Sequence, residues 1–124
     1  MVDRCTSNVN KLDGITVYSF GVITNNSVSG NGGFSVGGAG IRIEPGASRT
    51  LIRGNNCSQN NWGVRVEGSL NLLIGNTCTN NTTNFDIVSG NRVGEIVVLS
   101  TSGAISGNSG GSTTPTNPAS NFAF

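Results

Sequence analysis

Apolar residues fall at every second position in four short stretches of this chain, and the four stretches superpose. Gly14-Ile15-Thr16-Val17, Gly40-Ile41-Arg42-Ile43, Gly63-Val64-Arg65-Val66 and Asn84-Phe85-Asp86-Ile87 form one block, at spacings of 26, 23 and 21 residues. A period of two is that of a β-strand. The pattern therefore predicts that Ile15, Val17, Ile41, Ile43, Val64, Val66, Phe85 and Ile87 point inward. Thr16, Arg42, Arg65 and Asp86 then face outward, as do Tyr18, Glu44, Glu67 and Val88. A second block follows each of the first three: Val22 to Val28, Leu51 to Cys57 and Leu72 to Cys78. Recurrence at just over twenty residues is the length of one coil of a β-solenoid, whose rungs lie ~4.8 Å apart.

Stacked rungs turn repeated positions into columns. Cys5, Val28, Cys57 and Cys78 are expected in one inward column. Asn8, Asn31, Asn60 and Asn81 are expected in another, three residues later, and Asn26, Asn55 and Asn76 in a third. Amides one rung apart can hydrogen-bond to each other and to corner backbone, so these asparagines are assigned a structural role. One coil is lengthened by Gly32 to Ala39, an insertion expected at a surface turn. Beyond Gly90 the columns weaken. Glu95 to Leu99 still reads as a strand, and Ala104 to Asn108 as the remnant of a half-coil. The division expected is a β-helix domain over residues 1–108 and a Gly/Ser/Thr/Pro-rich tail over 109–124. That tail is a cap or strap, with Phe122 and Phe124 as its anchor.

Composition fits this picture. The chain has 19 glycines and 18 asparagines in 124 residues, and these are the residues that tolerate the positive φ of tight corners. Charged residues are 10% of the chain and the net charge is +1. No basic patch for nucleic acid or for an anionic membrane surface is therefore expected, nor does any apolar run reach the length of a membrane span. The opening residues Met1 to Cys5 contain no apolar leader, which points to the cytoplasm or to a fragment of a longer exported protein. Three cysteines without histidine do not suggest zinc, and no metal or cofactor is expected. The odd thiol count and the parallel Cβ vectors of stacked rungs favour free, buried thiols.

The Gly-apolar-x-apolar block, the turn, and the apolar-x-Gly-Asn that follows resemble the repeats of right-handed parallel β-helices of the pectin-lyase-like superfamily. Leu51 to Cys57 and Leu72 to Cys78 carry the likeness most clearly, and it spans roughly residues 3 to 108. The resemblance implies an all-β, single-stranded right-handed parallel β-helix of four to five short coils with an irregular C-terminal tail. It does not imply one function, because relatives include polysaccharide lyases, glycosidases, epimerases and adhesins.

Enzymes of that superfamily place catalytic groups on the outward face of one sheet. Here the candidates are Arg42 and Arg65 in one column and Glu44 and Glu67 in the next. Paired carboxylates ~5–9.5 Å apart would suit glycoside cleavage. Alternating Arg and Glu also make an exposed ion-pair lattice, worth ~0–1 kcal/mol per pair. A separate candidate is an apolar binding edge: Phe34 in the inserted turn, Trp62 in the corresponding turn of the next coil, and Leu12 one coil earlier. Two function classes follow. One is a non-catalytic binding, structural or assembly module that associates with itself and with carbohydrate. The other is a minimal carbohydrate-active enzyme acting on acidic polysaccharide. A rod of about four coils, ~20 Å long, is short for a groove with several sugar subsites, which favours the first.

Overall fold

The computed structural model describes residues 1–33, 37–98 and 119–123. Phe34, Phe124, the Ala104–Asn108 remnant and most of the tail lie outside the described residues. Among the described residues the chain is all-β with no helix, and its parallel sheets form a solenoid of about four turns. The first sheet stacks Val2–Asp3, Val22–Thr24, Leu51–Arg53, Leu72–Ile74 and Arg92–Val93. The second stacks Thr6–Asn8, Ser27–Ser29, Asn56–Ser58, Thr77–Thr79, Asn121–Ala123 and Ile96–Val98. The third stacks Ile15–Val17, Ala39–Ile43, Trp62–Val66 and Thr83–Ile87.

The core is the set of inward columns. Ile23, Ile52 and Leu73 come from the first sheet, and Val28, Cys57 and Cys78 from the second. Ile15, Ile41, Ile43, Val64 and Val66 come from the third. The expected pairing holds for both blocks: Ile15, Ile41, Val64 and Phe85 stack in register, as do Ile23 with Ile52 and Val28 with Cys57 and Cys78. Full burial of each large aliphatic side chain is worth ~1.5–3 kcal/mol, so this narrow stack is the main source of cohesion.

The following corners pair a left-handed residue with a ladder residue. Asn25, Gly54 and Gly75 precede Asn26, Asn55 and Asn76; Gly30, Gln59 and Asn80 precede Asn31, Asn60 and Asn81; Arg49, Leu70 and Gly90 precede Thr50, Asn71 and Asn91. All nine leading residues have φ between 53 and 86°. In the first two ladders the backbone N–H and Nδ2 of one asparagine both donate to Oδ1 of the next, at 2.8 to 3.1 Å. The third ladder, Thr50 to Asn71 to Asn91, was not expected from the sequence.

The glycine that opens the first block has a steric cause. A Cβ at Gly40 would lie 2.7 Å from Gly63 O and 2.9 Å from Asn60 Nδ2. The fourth rung carries Asn84 instead. It lies in the edge strand of the third sheet, and its Oδ1 accepts from Asn81 Nδ2 and terminates that ladder.

The first coil corrects two expected columns. Ser7, not Cys5, pairs with Val28, and Asn10, not Asn8, bonds to Asn31 through both its N–H and its Nδ2. Asn8 faces outward and accepts from Ser29 Oγ. A slip of two residues preserves the in-out alternation, so periodicity cannot detect it. The corners set the register, because Arg4 and Val9 occupy the left-handed positions.

Cys5 is consequently exposed, while Cys57 and Cys78 are buried and in register, and all three are free. Titration with a thiol reagent should find about one reactive equivalent in the native protein and three after denaturation. The Cys57 hydrogen bond, with burial, holds the Cys78 thiol far above its ordinary pKa. Because the folded value is raised, its contribution to stability is complete below the unfolded thiol pKa of ~8.5 and is lost as pH rises above it. Urea midpoints should therefore fall as pH rises past about 8.5. A Cys57–Cys78 disulfide would abolish both effects.

Candidate functional site

Strand alternation on the third sheet presents two adjacent outward columns, and the structure assembles the expected charged residues there. Thr16, Arg42, Arg65 and Asp86 stack in register. Two arginines one rung apart would repel, and the neighbouring acids resolve this. Glu67 lies between them: Arg42 Nη2 is 2.8 Å from its Oε2, and Arg65 Nη2 is 3.1 Å from its Oε1. Arg42 Nε also donates to Glu67 Oε2 at 2.9 Å and lies 3.2 Å from Glu44 Oε1. Arg65 Nε is 3.3 Å from Asp86 Oδ2, and the Arg65 guanidinium stacks 4.3 Å from the Trp62 ring.

Asp13 joins this lattice and was missed in the sequence. Its Oδ1 accepts from Ala39 N–H at 2.7 Å, and its Oδ2 lies 3.7 Å from Arg42 Nη1. Asp13 precedes the first block where the other coils carry Ala39, Trp62 and Thr83, so no repeated pattern marks it. The only available signal was an unpaired acid one rung from Arg42. Partial burial disfavours charge on Arg42, but the Glu67 hydrogen bond and the charges of Glu67, Glu44 and Asp13 outweigh it and raise the arginine's pKa. An arginine acting as a general base needs the opposite shift. Among the described residues, no group of three His, Cys, Asp or Glu side chains is arranged to hold a metal ion.

The expected apolar edge is assembled only in part. Trp62 begins a strand of the third sheet, paired with Ala39, and does not lie in a turn. One face of its environment is Arg65 and another is Gly37, where a Cβ would lie 2.4 Å from the ring. Leu12 is exposed, and its carbonyl lies beneath Gly38. Phe34 falls outside the described residues.

A cleft of about 540 Å³ runs along the corner between the second and third sheets. It was not foreseen. Its wall is the column of left-handed residues Val9, Gly30, Gln59 and Asn80, with Asn61 and Thr82 beside them. No charged side chain lines it. Comparison of the chain with family models, curated proteins and solved structures gives no match.

Proposed function

We propose that this chain is a non-catalytic structural or assembly module, a rigid solenoid with the repeat chemistry of pectin-lyase-like β-helices. The observation that carries this reading is the state of the outward face. Arg42, Arg65, Glu44 and Glu67, the residues a catalytic face would use, are committed to one another, to Asp13 and to Asp86. Incubation with acidic polysaccharides should release neither unsaturated uronates absorbing in the ultraviolet nor new reducing ends. Release of either product, abolished by Glu67→Gln, would establish the enzyme reading instead.

Self-association is part of the proposal. Among the described residues the first-rung strands Val2–Asp3, Thr6–Asn8 and Ile15–Val17 are paired on one side only, and Met1, Val9, Leu12, Tyr18 and Phe20 are exposed on that coil. The opposite end also has edge strands, Thr83–Ile87, Arg92–Val93 and Ile96–Val98, but it closes two of its ladders internally, on Asn84 and on Gly94 O. Light scattering at micromolar concentration should therefore show an oligomer joined at the N-terminal coil, and a monodisperse monomer would refute this. The corner cleft supports a second reading, a neutral carbohydrate as ligand. The side chains of Gln59, Asn80 and Thr82 have no hydrogen-bond partner among the described residues and are exposed along it.

A further inference from the structure

The fifth rung of the second sheet is filled out of chain order. Val93 pairs with Leu73, and a five-residue step leads from Ile52 to Cys57 and from Leu73 to Cys78. The same step from Val93 would set Val98 on Cys78 and Ile96 on Asn76. Instead Asn121–Ala123 takes that rung, Ala123 pairs with Cys78, and Ile96–Val98 is displaced one rung outward. The ladder explains the substitution. Asn76 presents a backbone N–H and an Nδ2 to the next rung, and isoleucine offers no side-chain acceptor. Asn121 Oδ1 accepts both at 3.0 Å. Asn121-Phe122-Ala123 also repeats the Asn-x-apolar order of Asn26 to Val28, Asn55 to Cys57 and Asn76 to Cys78.

We infer that this rung is an exchangeable strand site, selective for an Asn-x-Ala strand, which in trans takes the C-terminal strand of a second copy of this chain. Both walls of the slot, Thr77–Thr79 and Ile96–Val98, belong to the body of the solenoid. The incoming strand buries Ser120, Asn121 and Ala123 and bonds to both walls, with Asn121 N–H on Glu95 O and Phe122 N–H on Asn76 O. Twenty residues, 99–118, separate it from Val98. A connection that can extend up to ~65 Å does not dictate which copy supplies the strand. The same bonds form in cis and in trans, so concentration selects between them. A strand without a side-chain acceptor at the Asn121 position would leave the buried Asn76 donors unpaired.

The test uses two full-length variants in a Cys5→Ser background, one with Thr77→Cys and one with Phe122→Cys. These positions pair across the slot, one rung apart. The variants are mixed at high micromolar concentration and treated with a short bismaleimide. A covalent heterodimer is expected, its yield rising with concentration and falling when excess peptide of sequence Ala119–Phe124 is added. A chain carrying both changes should cross-link internally when dilute. Internal cross-linking without any heterodimer would overturn the exchange, and absence of both products would remove the strand from the slot altogether. A labelled Ala119–Phe124 peptide should bind the Asn121→Ala chain at least tenfold more tightly than the unaltered chain, and equal uptake would also count against exchange. Association through the N-terminal coils does not bring residues 77 and 122 together, so its success or failure leaves this result unaffected.

Discussion

Val66→Asp should leave the chain unfolded in buffer, with a flat urea profile and no cooperative thermal transition. Val66 is fully buried between Ile43 and Ile87 in the third sheet. Its neighbours in the narrow core are aliphatic, so a carboxylate there would have neither an ion-pair partner nor water. A buried, unpaired charge of this kind costs more than ~4–5 kcal/mol, against a total stability of ~5–15 kcal/mol for a domain. Thr16→Asp is the matched control. It lies half-exposed and outward in the same sheet, where the paired Arg42 one rung away offsets the Asp13 carboxylate that Thr16 Oγ1 now meets at 3.4 Å, and it should change stability by no more than ~1 kcal/mol. Arg42→Asp does not serve as a control, although it also faces outward. A carboxylate there would face Asp13, Glu44 and Glu67, which Arg42 now neutralises. Similar transition midpoints for Val66→Asp and Thr16→Asp would mean that the in-out assignment of the third sheet is wrong.

The stacking of this chain was legible because rungs repeat. Ile41 above Ile15, or Cys78 above Cys57, follows from period two within a rung and a recurrence of 26 or 21 residues between rungs. What escaped the sequence reading was what repetition does not encode. The third ladder begins on Thr50 and has Arg49 and Leu70 at its left-handed corners, so neither the ladder residue nor the corner residue is the expected type. The first coil slipped by two because Cys5 and Asn8 matched later cysteines and asparagines in identity. Corner geometry, which sequence identity does not report, selected Ser7 and Asn10. Asn121 carried the ladder signature openly. Its distance from Asn76 in the chain concealed the contact.

The candidate site was legible at the level of columns and not of pairings. Outward alternation placed Arg42, Arg65, Glu44 and Glu67 on one face. The partner each arginine takes depends on side-chain reach across rungs, and Arg42 bonds to Glu67 on the next rung as well as to Glu44 on its own. Asp13 enters through the backbone, by capping Ala39 N–H, which fixes it beside Arg42. The corner cleft arises from backbone turns at Val9, Gly30, Gln59 and Asn80, and these have no residue type in common.

Asn55→Ala should be among the most damaging truncations of a polar side chain, lowering stability by ~3–5 kcal/mol in urea unfolding. Asn55 is buried in the middle of the first ladder, and its side chain makes four hydrogen bonds. Oδ1 accepts from Asn26 N–H and Asn26 Nδ2, while Nδ2 donates to Ile23 O and Asn76 Oδ1. Alanine removes all four and leaves buried donors and acceptors of Asn26, Ile23 and Asn76 without those partners. Each orphaned group costs ~1–3 kcal/mol, only part of which relaxation recovers. Asn55→Asp should be at least as harmful. It keeps the acceptor for Asn26 but turns a negative oxygen toward Ile23 O and Asn76 Oδ1, where a donor is required. Asn8→Ala provides the contrast. Asn8 is exposed and accepts one bond, from Ser29 Oγ, so its loss should cost less than ~1 kcal/mol. If Asn8→Ala proved as costly as Asn55→Ala, Asn8 would belong in a ladder and the first coil would have the longer register. A small effect at Asn55 would mean that the amide stacks contribute little and that the aliphatic columns alone hold the coils together.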